Sequence, residues 1–116
     1  MSKYRDKSYF EINKAVAIAL GKVIGIRPDS NIIYLIGGDE LIEFAPCNNP
    51  TDAMPIIFDN NISLIFSHRE YPLATNNPSG LFRDVLPPEN VVTNKNPLRA
   101  AMELFLMMKE AENEKV

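Results

Sequence analysis

A long apolar segment near the end of the chain constrains the fold more than any other feature. It begins at an Asn-Pro pair, and Asn96 followed by Pro97 is favourable chemistry for a helix start, because the proline nitrogen has no hydrogen to leave unpaired. The apolar spacing predicts a helix over residues 98–111, followed by a fraying tail at 112–116. Apolar side chains cover most of its circumference, so we expect this helix at the centre of the core or at an oligomer interface.

Two further helices are predicted from their ends. Residues 8–20 begin with a capping box, Ser8 to Glu11, and stop at Gly21, where a left-handed residue is expected. A second helix begins at Asn49-Pro50 and ends at Asn60-Asn61. A proline inside it removes a backbone hydrogen bond, which predicts a helix that is short, bent or partly 3₁₀.

Strands are predicted at residues 31–36, 41–44 and 62–66 from their short runs of β-favouring side chains. Residues 67–95 are expected to be a long irregular loop region, with a short edge strand at Val91-Val92. The whole chain, residues 1–116, is therefore predicted to be one α+β domain in the order αββαβ(β)α. About three helices would pack on a small, mainly antiparallel sheet.

The letters GGDE at residues 37–40 resemble the signature of diguanylate cyclases. Two glycines between two strands also favour a tight hairpin turn, and this is the interpretation we prefer. The cyclase domain is longer than this chain and carries a metal-binding carboxylate on an earlier strand. Residues 1–30 predict one helix and a loop, and GGDE is followed here by Leu41 instead of phenylalanine.

Composition limits the possible functions. The net charge of -3 and a pI of about 5.1 argue against general binding to nucleic acid, which requires a basic surface. With neither a membrane-length apolar run nor a signal-like start, we expect a cytoplasmic protein that does not bind membranes.

No catalytic set is visible, and we predict neither an enzyme nor a cofactor. Cys47 and His68 are the single cysteine and histidine, which excludes an internal disulfide and argues against zinc, although a Cys–His dyad remains an alternative. Five carboxylates could hold magnesium, but we interpret them as turn, cap and surface residues. They are Asp39, Glu40, Glu43, Asp52 and Asp59.

Asn-Pro occurs three times, at residues 49–50, 77–78 and 96–97. Its plain interpretation is helix-entry and turn chemistry. The functional alternative is that helix N-termini converge on a pocket and hold an anion such as a phosphate, with arginines and stacking aromatic rings nearby. The residues of this hypothetical ligand site are Asn49, Thr51, Arg69, Tyr71, Phe82, Arg83, Asn96 and Arg99.

Three strings carry a family resemblance: FEINKAVA at 10–17, NNPTDAMPII at 48–57 and NKNPLRAAMELFLMM at 94–108. They resemble the small NinX-like proteins of tailed phages and prophages of enteric bacteria. The resemblance implies a phage accessory protein made inside the host, in a class rich in inhibitors, adaptors and counter-defence factors. We therefore expect a non-enzymatic protein that binds a host protein or complex in the host cytoplasm, through the apolar surface of the last helix or through the long loop. The alternative is a sponge for an anionic, nucleotide-like signal molecule. The apolar last helix further suggests a homodimer.

Overall fold

The computed structural model describes residues 3–27, 29–66, 71–81 and 88–114. Across this part of the chain, three helices alternate with two groups of three strands, which confirms the α+β class. The elements are α1 Tyr9–Ala19, β1 Ile24–Arg27, β2 Ile32–Gly37, β3 Glu40–Glu43, α2 Pro50–Asp59, β4 Ser63–Ile65, β5 Leu73–Thr75, β6 Val91–Thr93 and α3 Pro97–Glu114. Short 3₁₀ helices lie at Pro78–Leu81 and Pro88–Asn90.

Helix α1 begins and ends as its sequence predicts. The Glu11 N–H donates to Ser8 Oγ at 3.1 Å, and the Ser8 N–H donates to Glu11 Oε1 at 3.3 Å, which completes the capping box. At the other end Gly21 has φ +73°, and the Lys22 N–H reaches back to the Ala17 carbonyl at 3.1 Å. This left-handed ending satisfies carbonyls that the last turn of the helix would leave free.

Helix α2 is a short α-helix that contains Pro55 without being broken by it. Asn49 is its N-cap, since its Oδ1 accepts from the Thr51 N–H at 3.0 Å. Asn61 takes the left-handed position at the C-terminal end with φ +54°, and the Ile62 N–H then returns to the helix. Asparagine tolerates this conformation better than most residues, which explains why the helix stops there.

The strands form two separate antiparallel sheets, β1-β2-β3 and β4-β5-β6, where the sequence predicted one. We call them the first sheet and the second sheet. The prediction of a loop before residue 30 was wrong, because β1 lies there, and β5 lies within the segment predicted to be irregular. The expected edge strand at Val91-Val92 is confirmed as β6, at the edge of the second sheet. Strands of three or four residues have too little local signal to be recognised, since their partners stabilise them.

Helix α3 lies at the centre of the core and packs against α1, α2, β5 and β6. Six of its apolar residues are buried: Ala100, Ala101, Met102, Leu104, Phe105 and Leu106. Of the two places that the sequence allowed for this helix, the structure gives the core. The helix runs to Glu114, three residues beyond the end predicted at residue 111.

Candidate functional site

The backbone of Cys47 joins α1 to the start of α3. The Asn96 side chain caps α3, because its Oδ1 accepts from the N–H groups of Leu98 and Arg99 at 3.0 and 3.2 Å. Its Nδ2 donates to the Cys47 carbonyl at 2.8 Å. On the opposite side of the same residue, the Cys47 N–H donates to Asn13 Oδ1 at 2.9 Å. Two asparagines therefore hold one buried residue between two helices.

The same contacts place the start of α3 beside the segment that leads into α2. Cys47 precedes the α2 cap, Asn49, by two residues, so the Asn96 side chain reaches the segment that enters α2. The hypothesis that helix N-termini converge on a pocket for an anion stays a prediction. What Asn96 contacts there is the chain itself, since the Cys47 carbonyl lies at hydrogen-bond distance from its amide.

Arg99 is buried, with its guanidinium turned towards the beginning of the chain. Its Nε lies 2.7 Å from Glu103 Oε2, and both side chains are almost fully buried. Its Nη2 donates to the carbonyls of Tyr4, Arg5 and Lys7 at 3.0, 3.2 and 2.6 Å. Arg99 thus fixes the N-terminal segment against α3, and these four contacts are all internal. The i,i+4 pairing was visible in the sequence, whereas the three carbonyls were not.

The remaining candidates for the ligand site are dispersed or not described. Asn49 and Thr51 bond to each other at the start of α2, and Thr51 also lines a groove beside that helix. Tyr71 is half-exposed just before β5. The other three candidates, Arg69, Phe82 and Arg83, lie outside the described residues. Among the candidates that the structure describes, Asn96 and Arg99 lie together at the start of α3, and Asn96 contacts the segment that precedes α2.

The groove beside α2 has a volume of about 610 Å³ and an apolar floor that includes Phe44 and Phe105. Its charged lining residues are Lys22, Asp52, Asp59 and Lys109. Two lysines facing two aspartates give no net positive charge, so this groove does not provide the potential that an anionic ligand needs.

The thiol of Cys47 is not prepared for catalysis. Burial raises its pKa to about 12, although the positive charge of Arg99 acts in the opposite direction. A thiol with this pKa stays protonated at neutral pH, and the thiol form is a poor nucleophile. His68, the other half of the suggested dyad, lies outside the described residues. Within the part of the chain that the structure describes, no group of three or more His, Cys, Asp or Glu side chains is placed to hold a metal ion.

The GGDE segment forms the hairpin turn predicted for it. Gly37 pairs with Glu40 across the β2–β3 hairpin, and Gly38 adopts φ +60° in the two-residue loop. One reason for rejecting a cyclase was wrong, because β1 does supply a strand upstream. That strand reads IGIR and contains no carboxylate.

The first sheet exposes apolar side chains on both of its faces. Paired residues of an antiparallel sheet share a face, so Ile36 and Leu41 lie on one face and Leu35 and Ile42 on the other. Leu41 is 65% exposed and Ile42 is 53% exposed. Ile33 and Phe44 are the buried residues of this sheet and its continuation. Sequence reasoning identified these strands but missed the exposure. The sequence of β3 contained the signal, because its two adjacent apolar residues are flanked by glutamates. A half-buried strand would instead alternate apolar and polar residues.

Residues 3–109 match the family model described as Bacteriophage P22, NinX. The match covers most of the chain, so this chain belongs to that family, as the three strings indicated. No curated protein and no solved structure matches the chain. Among the described residues, no helix combines the length and apolar character needed to cross a membrane.

Proposed function

We propose that this NinX-family chain is a non-enzymatic phage accessory protein that acts in the host cytoplasm by binding a host protein through its first sheet. The observation that carries the proposal is the exposure of apolar side chains on a three-stranded sheet. Leu41, Val23 and Ile36 lie on one face, with Ile42 and Ile26 on the other.

Apolar side chains that stay exposed on a sheet do not contribute the free energy that they would gain on burial, and a bound partner would bury them. Fully burying one large apolar side chain contributes about 1.5–3 kcal/mol, and the free protein forgoes a part of this at each of these partly exposed positions. Contiguous apolar patches rimmed by polar residues are typical of protein interaction sites. Here Arg27 and Glu43 provide charge at the margin of the face that carries Leu41.

This surface replaces those that the sequence suggested for an inhibitor or adaptor. The sequence suggested two contact surfaces, the apolar residues of α3 and the long loop at 67–95. Six apolar residues of α3 are buried in the core, and residues 67–70 and 82–87 of the loop lie outside the described residues. The sponge for an anionic signal molecule has less support than protein binding. Its main donor, Arg99, bonds to Glu103 and to backbone carbonyls, and the two helix caps are formed by the protein's own asparagines.

Site-specific photo-crosslinking in an enteric host tests the proposal. A photoreactive amino acid at Leu41 should capture one host protein, identified by mass spectrometry. The same amino acid at Phe58, an apolar position of similar exposure on α2, is the matched control and should not capture it. The captured protein, once purified, should bind the phage protein with an affinity that Leu41→Ser lowers by about tenfold or more. Equal capture from both positions, or binding unchanged in Leu41→Ser, would refute it.

A further inference from the structure

Strand β3 is an open edge of the first sheet. It pairs with β2 on one side, and no strand follows it in the sheet order. Just beyond β3, the Phe44 N–H donates to the Ile33 carbonyl at 2.8 Å. Backbone groups along an antiparallel strand point alternately towards and away from the partner strand. The N–H and C=O groups of Leu41 and Glu43 therefore point outwards, where none of the described residues pairs with them.

This edge has two of the usual protections against unwanted pairing, a short strand and charged side chains, but it has no lysine, proline or bulge. Its charges are both negative, so they oppose an acidic or apolar strand and not a basic one. Strand β3 reads ELIE, pairs with β2 in unbroken register, and exposes all four of its residues. A regular, exposed and apolar edge can accept another strand, because its backbone groups are already in position.

The charges on β3 indicate what kind of strand fits. Glu40 shares a face with Ile42, and Glu43 shares the opposite face with Leu41, so each face has one carboxylate and one apolar side chain. Neither glutamate has an ion-pair partner among the described residues. With Asp39 in the adjoining turn, residues 39–43 carry three carboxylates and no basic side chain. A second copy of β3 would bring carboxylates close to carboxylates, and such like-charge neighbours destabilise strand pairing.

We propose that β3 is a strand-addition site for an extended segment of the partner protein, with the order basic, apolar, apolar, basic. This inference rests on the proposed function and specifies how the first sheet would engage its partner. The backbone of the segment would bond to the outward groups of Leu41 and Glu43. Its two apolar side chains would lie beside Leu41 and Ile42, and its basic ends beside Glu40 and Glu43.

Synthetic peptides with a Lys-Val-Val-Lys core, capped at both ends, provide a direct test on the full chain. Titration followed by NMR should show binding, with slowed amide exchange at Leu41 and Glu43. Methylation of the peptide nitrogens that face β3 should weaken binding at least about tenfold, since it removes the shared hydrogen bonds. The methylated peptide keeps every side chain, so it separates backbone pairing from simple apolar contact.

Reversing the charges on β3 and on the peptide provides a second test. Glu40→Lys combined with Glu43→Lys should lower the affinity for the lysine peptide about tenfold and create binding to a Glu-Val-Val-Glu peptide. Glu112→Lys, an exposed carboxylate on α3, is the control and should change neither. A methylated peptide that binds as well as the parent would overturn strand addition, as would a lack of binding by the parent peptide. Both outcomes leave the crosslinking result at Leu41 intact, so the two proposals fail separately. A dimer that forms through β3 would also overturn the inference.

Discussion

Replacing Asn96 by alanine should destabilise this protein more than the loss of an ordinary helix cap. The Asn96 side chain does two things at once. Its oxygen satisfies two N–H groups at the start of α3, and its nitrogen satisfies the carbonyl of buried Cys47. The capping function alone is worth about 1 kcal/mol. Leaving a buried carbonyl without a donor costs about 1–3 kcal/mol more. We therefore expect Asn96→Ala to lower the free energy of unfolding by about 2–4 kcal/mol.

Asn49→Ala is the matched comparison, because Asn49 caps α2 from an exposed position through one acceptor bond to Thr51. It should cost only about 1 kcal/mol. Asn96→Asp refines the test, since aspartate keeps the capping oxygen and removes the donor to Cys47. It should therefore remain clearly less stable than the parent, although aspartate caps helices as well as asparagine does.

Urea denaturation followed by far-UV circular dichroism measures all three variants. With a slope of about 2 kcal/mol per M, the midpoint should fall by about 1–2 M for Asn96→Ala and by about 0.5 M for Asn49→Ala. Equal losses for the two alanine variants would show that the bond to Cys47 contributes nothing. Parent-like stability of Asn96→Asp would lead to the same conclusion.

Three further predictions concern charged and titratable groups. Arg99→Met should lower the free energy of unfolding by about 3–5 kcal/mol, because it leaves the Glu103 carboxylate buried and unpaired. Adding Glu103→Leu should restore much of the lost stability. A urea midpoint of Arg99→Met equal to that of the parent would refute this. The pKa of Cys47 rises on folding from 9.0 to about 12, so its contribution to stability should be constant below pH 9.0 and should be lost as the pH rises towards 12. Cys47→Ala should flatten that decline, and in the native parent the thiol should resist a disulfide reagent at about pH 8. Burial alone would raise the pKa of Glu110, but hydrogen bonds from Lys3 and Tyr4 lower it below 4.5. Stability should therefore decrease as the pH falls below 4.5, and less so in Glu110→Gln.

The parts of the fold that sequence predicts well are those fixed by near neighbours. The capping box at Ser8 and the left-handed Gly21 involve residues within one or two turns, so their letters suffice. Strand β1 is different, because four residues that include a glycine become a strand only through pairing with β2. Arg99 shows the same limit within the site. Its pairing with Glu103 follows from helical spacing, whereas its three carbonyl acceptors lie more than ninety residues away in the chain.

The residues that carry the family resemblance lie mainly in the internal framework of this molecule. Asn13, Asn96 and Arg99 belong to these strings, and each bonds to a distant part of the chain. Asn49, in the second string, caps its own helix. The exposed residues of the first sheet, such as Leu41, lie between the first two strings. Stability and partner binding should therefore respond to different substitutions.

Leu41→Ser tests this separation from the binding side, and Asn96→Ala tests it from the stability side. Leu41 is largely exposed, so Leu41→Ser should change the free energy of unfolding by no more than about 0.5 kcal/mol while it weakens partner binding. Asn96→Ala should do the reverse, provided that binding is measured at a temperature where the variant is fully folded. If Leu41→Ser unfolds the protein, the Leu41 side chain stabilises the fold, and the first sheet is then not a surface available to a partner. If the folded Asn96→Ala variant loses binding as strongly as Leu41→Ser does, the partner contacts the helix starts, and the Asn-Pro ends become the better candidate for the site.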